Sequence, residues 1–320
     1  MYPERPLWRR TPPAIFPVTL GVLGFGLGWR SASEILPVPA EIGDLFLGGG
    51  MAYYLYFLAF YLRKLMARPS VLFEDMQTAR ARAGIAAAGM AMMLLAAALL
   101  PFGISAPEVW WVGVVMQIGA SIIVLHALWV EPPEERHFST FQYLTFVGPL
   151  VGPVAGVPLG YVWESKVMTF AALVPYTIIT AGLALKLLRG EGPPDKLRPS
   201  LAIFLAPNCL FASAFGLIGY DLGYEVFYWI ANAVALGLVF LIPYMTRGGW
   251  TPVWASFTFP IAAFLNMQVL ALHHGAGLPA RVGVWVALVV GTPVITAIAW
   301  RSNLAWVTGE LAERSQAARA

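Results

Sequence analysis

The chain has 320 residues, 59% of them hydrophobic and only 12% charged, against roughly 25% charged in an ordinary soluble domain, and its mean hydropathy is +0.71. That balance excludes a soluble globular protein, and a formal net charge of only +3 calls for no nucleic-acid partner. A single cysteine, Cys209, excludes an intrachain disulfide and a thiol cluster for a metal.

Cut at its charged and proline-rich breaks, the sequence gives ten apolar stretches in chain order: 13–29, 42–62, 83–102, 109–129, 138–163, 167–188, 197–219, 226–245, 252–273 and 281–300. Each approaches the roughly 17–25 residues that a helix rising about 1.5 Å per residue needs to cross hydrocarbon. The connections around 63–82 and 188–197 are too short to fold a separate core. The expectation is an all-α integral membrane protein, one domain over residues 1–320, with short tails at about 1–12 and 301–320. A signal-peptide reading of the first stretch is opposed by Pro12, Pro13 and Pro17.

Basic residues test the count, because short cytoplasmic loops are enriched in Lys and Arg. With the N-terminus inside, seventeen of the twenty basic residues fall on inner segments, and only Arg30, Lys166 and Arg281 fall outside. A missed or invented span would scramble that alternation. Both termini are therefore expected on the cytoplasmic side of a cell or inner membrane, with the basic residues beside anionic lipid.

The ten stretches form five hairpins, and proline marks the odd members: Pro17, Pro149, Pro153, Pro158, Pro207 and Pro260. Pro153, Pro207 and Pro260 recur at about one hairpin's spacing, the mark of an internal structural repeat. The third stretch departs from it, being Ala/Met-rich with Pro101 only at its outer end. A proline inside a helix leaves the carbonyl four residues earlier unpaired and bends the axis, which lipid does not tolerate. Kinks at Pro17, Pro153, Pro207 and Pro260 therefore place the odd helices inside, around a central pore, with the even helices toward lipid.

No Asp, Glu, Lys, Arg or His lies in the middle of an odd stretch; the polar groups there are hydroxyls and amides. The candidates to line the path are Thr19, Thr145, Asn208, Ser213, Ser256, Thr258 and Asn266, with Gln142 and Gln268 beside them. Proton-coupled carriers use a titratable relay at membrane depth. A neutral path instead suits passive conduction, with anions drawn in by basic residues at the inner mouth. The same lack of convergent acids, histidines and thiols argues against a membrane enzyme.

Three segments carry a family resemblance: Phe16-Pro17-Val18-Thr19-Leu20-Gly21 through Gly28-Trp29; Leu197-Arg198-Pro199-Ser200 with Leu205-Ala206-Pro207; and Trp254-Ala255-Ser256-Phe257-Thr258-Phe259-Pro260. With the number and spacing of spans, they resemble the family of the tellurite-resistance protein TehA, the plant guard-cell slow anion channels, and the dicarboxylate and sulfite carriers grouped with them. The resemblance implies a homotrimer in which each protomer holds a pore made by the five odd helices and blocked by a phenylalanine of the ninth. That residue maps onto Phe259, with Phe257 as the competing assignment; on a helix, positions two apart point about 200° from each other, so only one can face a narrow axis. Channel and carrier of a dicarboxylate, sulfite or tellurite-like oxyanion both remain open, and no cofactor or metal is implied.

Other features have plainer readings. His273-His274, without acid or thiol company, reads as a loop, and Gly48-Gly49-Gly50 as close helix packing. Trp110-Trp111, Trp129, Trp163, Trp250 and Trp300 near stretch ends read as interfacial anchors. Glu131, Glu134, Glu135, Arg136 and His137 read as a charged inner loop, with a pH-sensitive mouth as the alternative.

Overall fold

The computed structural model describes residues 6–132 and 137–318; Glu134, Glu135 and Arg136 of the charged loop lie outside the described residues, as do Arg5 and Arg319. The described residues are helix and turn, and nine helical segments among them are long and apolar enough to cross a membrane. The main helices are α1 (Phe16–Ala32), α2 (Ala40–Ala67), α4 (Ala79–Leu99), α5 (Pro107–Val130), α8 (Val162–Leu188), α9 (Leu205–Leu217), α10 (Asp221–Thr246), α11 (Thr258–His273) and α12 (Leu278–Thr308). Short helices α3 (Val71–Asp75), α6 (Gln142–Phe146), α7 (Gly152–Gly156) and α13 (Glu310–Arg314) complete the set.

The tenth expected span is the exception. The fifth stretch, 138–163, is no continuous helix: it breaks into α6, a 3-10 turn Gly148–Val151, and α7. Pro149 and Pro153 each remove a backbone donor, and Gly148, Gly152 and Gly156 weaken helix propensity between them. Carbonyls along the broken stretch are caught by side chains of one neighbouring helix, α5. Gln117 Nε2 of α5 donates to the Leu144 and Thr145 carbonyls at 3.0 and 2.9 Å, Ser121 Oγ to Thr145 O at 2.8 Å, and Trp110 Nε1 to Gly152 O at 2.9 Å. Trp110 is thus fully buried and stacked on Tyr161 rather than an interfacial anchor, whereas Trp129, Trp163 and Trp300 are exposed.

The division into inner and outer spans is clear in the burial. In the windows of the first, third, seventh and ninth spans, 72%, 78%, 89% and 67% of residues are buried; in the even spans the share runs from 11% to 33%. The even helices turn Val115, Ile118, Leu236, Phe240, Val286 and Val289 outward, the side chains that belong against lipid. Glycine lets the inner helices approach without a hydrophobic drive between them. A Cβ on Gly21 of α1 would lie 2.3 Å from Thr258 Oγ1 of α11, and one on Gly84 of α4 would lie 2.3 Å from the Pro13 carbonyl. Of the glycine triplet, only Gly50 packs closely, against α1; Gly48 and Gly49 have open space.

Proline needs two corrections. The four expected kink residues do not bend helix interiors: Pro17, Pro153, Pro207 and Pro260 are the second or third residues of α1, α7, α9 and α11, each directly after a 3-10 segment (Pro13–Ile15, Gly148–Val151, Asp195–Phe204, Pro252–Phe257). In the first turn the missing N–H has no partner to lose. What repeats along the chain is this junction of 3-10 turn, proline and α-helix. Nor does proline mark odd spans alone, because Pro175, Pro243 and Pro293 sit inside α8, α10 and α12.

Candidate functional site

Two cavities lie among the inner segments, end to end. The first opens toward the arginine-rich end and is lined from all five odd stretches, including Pro17, Met90, Val147, Pro207 and Ser256, with Arg80 and Ser315 at its rim. The second, the roomier of the two, opens toward the opposite end and is lined from the same five stretches, including Gly24, Ala97, Val154, Ser213 and Asn266, with Glu34 and His273 at its rim. Among the described residues, only Leu210 of α9 and Phe259 of α11 line both.

Phe259 occupies that junction for local reasons. It is the second residue of α11, where the chain leaves the 3-10 segment and Pro260 fixes the backbone. Its ring is 7% exposed and lies beside Gly24 and Leu94, its Cε2 3.6 Å from where a Cβ on Gly24 would stand. Phe257, two residues earlier, lines neither cavity: it packs edge-on to Trp254 at 5.6 Å, in the cluster that faces α12. The opposite facing of the two rings follows from the two-residue offset.

The polar candidates divide sharply. Ser256 lines the first cavity, and Ser213 and Asn266 the second. Asn266 spends its amide donors on the Gly24 and Ala262 carbonyls, at 2.7 and 2.8 Å, and so ties α11 to α1. The remaining four line neither cavity. Thr19 donates to Phe16 O at 2.9 Å; Thr258 donates to Ala255 O at 2.8 Å and Pro17 O at 3.2 Å. Asn208 accepts from the Tyr176 hydroxyl at 2.8 Å and donates to Phe204 O. Thr145 borders a separate side pocket with Arg82, Glu131 and His137. Gln142 borders that pocket too, and Gln268 is buried on Asn232 and Tyr228.

Charge is confined to the rims. At the arginine-rich end, Arg80 Nη1 donates to the Arg314 carbonyl at 2.8 Å. At the other, Glu34 pairs with Arg30 at 3.9 Å, and Arg30 with Asp44 at 3.3 Å. His273 stands at the rim, while His274 stacks on Tyr224 at 4.8 Å; among the described residues no group of three acids, histidines or cysteines could hold a metal. Beside the first cavity's rim, a buried Lys64–Asp75 pair at 3.3 Å binds the N-terminal segment through Thr11 O and the C-terminal segment through the Ala318 N–H. Burial pushes the Asp75 carboxyl above its ordinary range, against the pull of the Lys64 ammonium.

The two cavities are lined mainly by apolar side chains, with the charged residues Arg80 and Glu34 among their linings and Leu210 and Phe259 shared between them. A family model described as voltage-dependent anion channel matches residues 10–306. The chain belongs to that family. Membership makes this multi-pass membrane protein an anion channel or transporter, and the match runs from the segment before α1 almost to the end of α12. Comparison with curated proteins gives no match. Sequence reasoning missed three residues here: Leu210, which is one more leucine among many, and Gln117 with Ser121, whose partners lie more than twenty residues away in the fifth stretch.

Proposed function

We propose that each protomer conducts small anions through its own path along the odd segments, closed at rest by the Phe259 ring against Leu210. The observation that carries the reading is that two cavities from opposite ends meet at these two side chains. Anions gather at Arg80 and the neighbouring arginines, shed part of their water, and cross a neutral centre where hydroxyl and amide groups are sparse. A donor-poor path discriminates by diameter and dehydration cost. The arginine-rich end is cytoplasmic by the distribution of basic residues, both termini lie there, and a cell inner or plasma membrane is the setting. Three protomers assemble with the even helices outward, and lipid covers the rest.

A carrier of a dicarboxylate, sulfite or tellurite-like oxyanion is favoured by one feature, the closure of the path midway between two open cavities, which is also what an occluded carrier presents. Current across planar bilayers holding the purified protein separates the two. Under a chloride gradient with impermeant cations, discrete anion-selective events establish the channel; silence together with saturable oxyanion uptake into liposomes establishes the carrier, with tellurite tolerance in cells as its physiological check.

A further inference from the structure

The fifth stretch contributes to both cavities, with Leu144, Val147 and Gly148 at the first and Val151 and Val154 at the second, although it is the one odd stretch without a long helix. Something other than its own hydrogen-bond ladder must hold it. Pro149 cannot give Thr145 O the N–H that a continuous α-helix would supply, and a carbonyl so freed at membrane depth needs a partner from elsewhere. The replacement comes from α5, where Gln117 Nε2 and Ser121 Oγ converge on that oxygen at 2.9 and 2.8 Å.

Gln117 is 1% exposed, and its fit is tight. A Cβ on Gly148 would stand 2.6 Å from its Nε2, and one on Gly89 of α4 would stand 3.1 Å from its Oε1. Glycine on both sides makes room for the amide. Both of its partners are carbonyl oxygens, so the NH2 group must face them, which fixes the amide's orientation. Its Oε1 is left buried without a partner. An unpaired buried acceptor is destabilising, so this glutamine is a poor choice for stability alone and a good one for placing two carbonyls.

We infer that Gln117, assisted by Ser121, is a positioning residue for conduction: it supplies from α5 the hydrogen bond that Pro149 removes, and so sets where the fifth stretch stands as a wall of the path. The inference rests on the conduction reading, and its test has a readout that does not. Gln117→Met keeps the length and removes the donors; Ser121→Ala removes one donor and is the milder variant if the first fails to fold. Pro149→Ala restores a backbone N–H at the position that a continuous α-helix would aim at Thr145 O.

Amide hydrogen exchange over residues 143–152, and single-channel conductance in bilayers, are measured for wild type, each single variant and Gln117→Met/Pro149→Ala. The expected result is exchange at least about tenfold faster in Gln117→Met with a conductance changed at least about twofold, a smaller shift of both in Ser121→Ala, and recovery of both in the double variant. Gln117→Glu should show a conductance that falls with rising pH as its carboxyl loses the donating proton, where wild type stays level. Unchanged exchange in Gln117→Met, or faster exchange with wild-type conductance, overturns the inference. If wild type itself is silent, the channel reading fails, and the exchange experiment alone decides whether Gln117 holds the stretch.

Discussion

Removal of the Phe259 ring is the perturbation that bears most directly on the conduction reading. Phe→Ala in a closed core costs about 3–5 kcal/mol, part of it for the cavity left behind. Here the side chain already lines both cavities, so the cavity contribution shrinks. The expected loss is nearer the transfer cost of one large apolar side chain, about 2–3 kcal/mol, which leaves the protein folded. Conduction responds the other way. If the ring adds as little as about 1.4 kcal/mol to the barrier, flux through Phe259→Ala rises about tenfold, and Leu210, the other shared side chain, keeps the increase finite. Phe259→Leu retains an apolar plug and stays near wild type, whereas Phe257→Ala, whose ring faces Trp254, costs stability and changes no current. Bilayer recordings at matched protein amounts decide it. Wild-type currents in Phe259→Ala, or a larger increase in Phe257→Ala, refute the assignment of the gate.

Pro260→Ala should alter open probability while lowering the melting temperature little, since the third residue of α11 has no intrahelical N–H bond to lose; a variant that only expresses poorly would make the junction purely structural. Gly21→Ala must push Thr258, and with it α11, away from α1, at about 1–3 kcal/mol for an overpacked contact. Gly49→Ala, with open space around it, should instead be neutral or stabilising by up to about 1 kcal/mol; equal melting temperatures for the two would contradict the packing described. Asp75→Ala strands the buried Lys64 ammonium and should cost about 3–5 kcal/mol, while Lys64→Met/Asp75→Leu should recover most of it, as read by thermal melting in detergent.

The span pattern was legible because hydrocarbon admits few solutions: backbone groups must be satisfied within a segment, so length and apolarity alone reveal a crossing. Nine of the ten stretches are continuous helical segments on that ground. The fifth has the same composition and fails, because whether a proline-broken segment can stand at membrane depth depends on donors from elsewhere in the chain, and Gln117 lies 28 residues from Thr145. The prolines themselves were visible, but their position within a helix was not, since a first-turn proline and an interior one look alike until the 3-10 segment before it is seen. The same limit governs the polar candidates. Asn208 and Asn266 are equivalent in sequence, one asparagine in each of two neighbouring odd stretches. Asn208 is held by Tyr176, a residue of an even helix whose facing no periodicity in the odd helices could reveal, while Asn266 reaches the second cavity. Phe257 and Phe259 could be told to face apart but not which way, because the direction is set by Gly24 leaving space on one side and Trp254 filling the other. What a chain of this kind encodes locally is where it crosses; which residues meet between the cavities is decided by pairs far apart in sequence, such as Leu210 and Phe259, which line both.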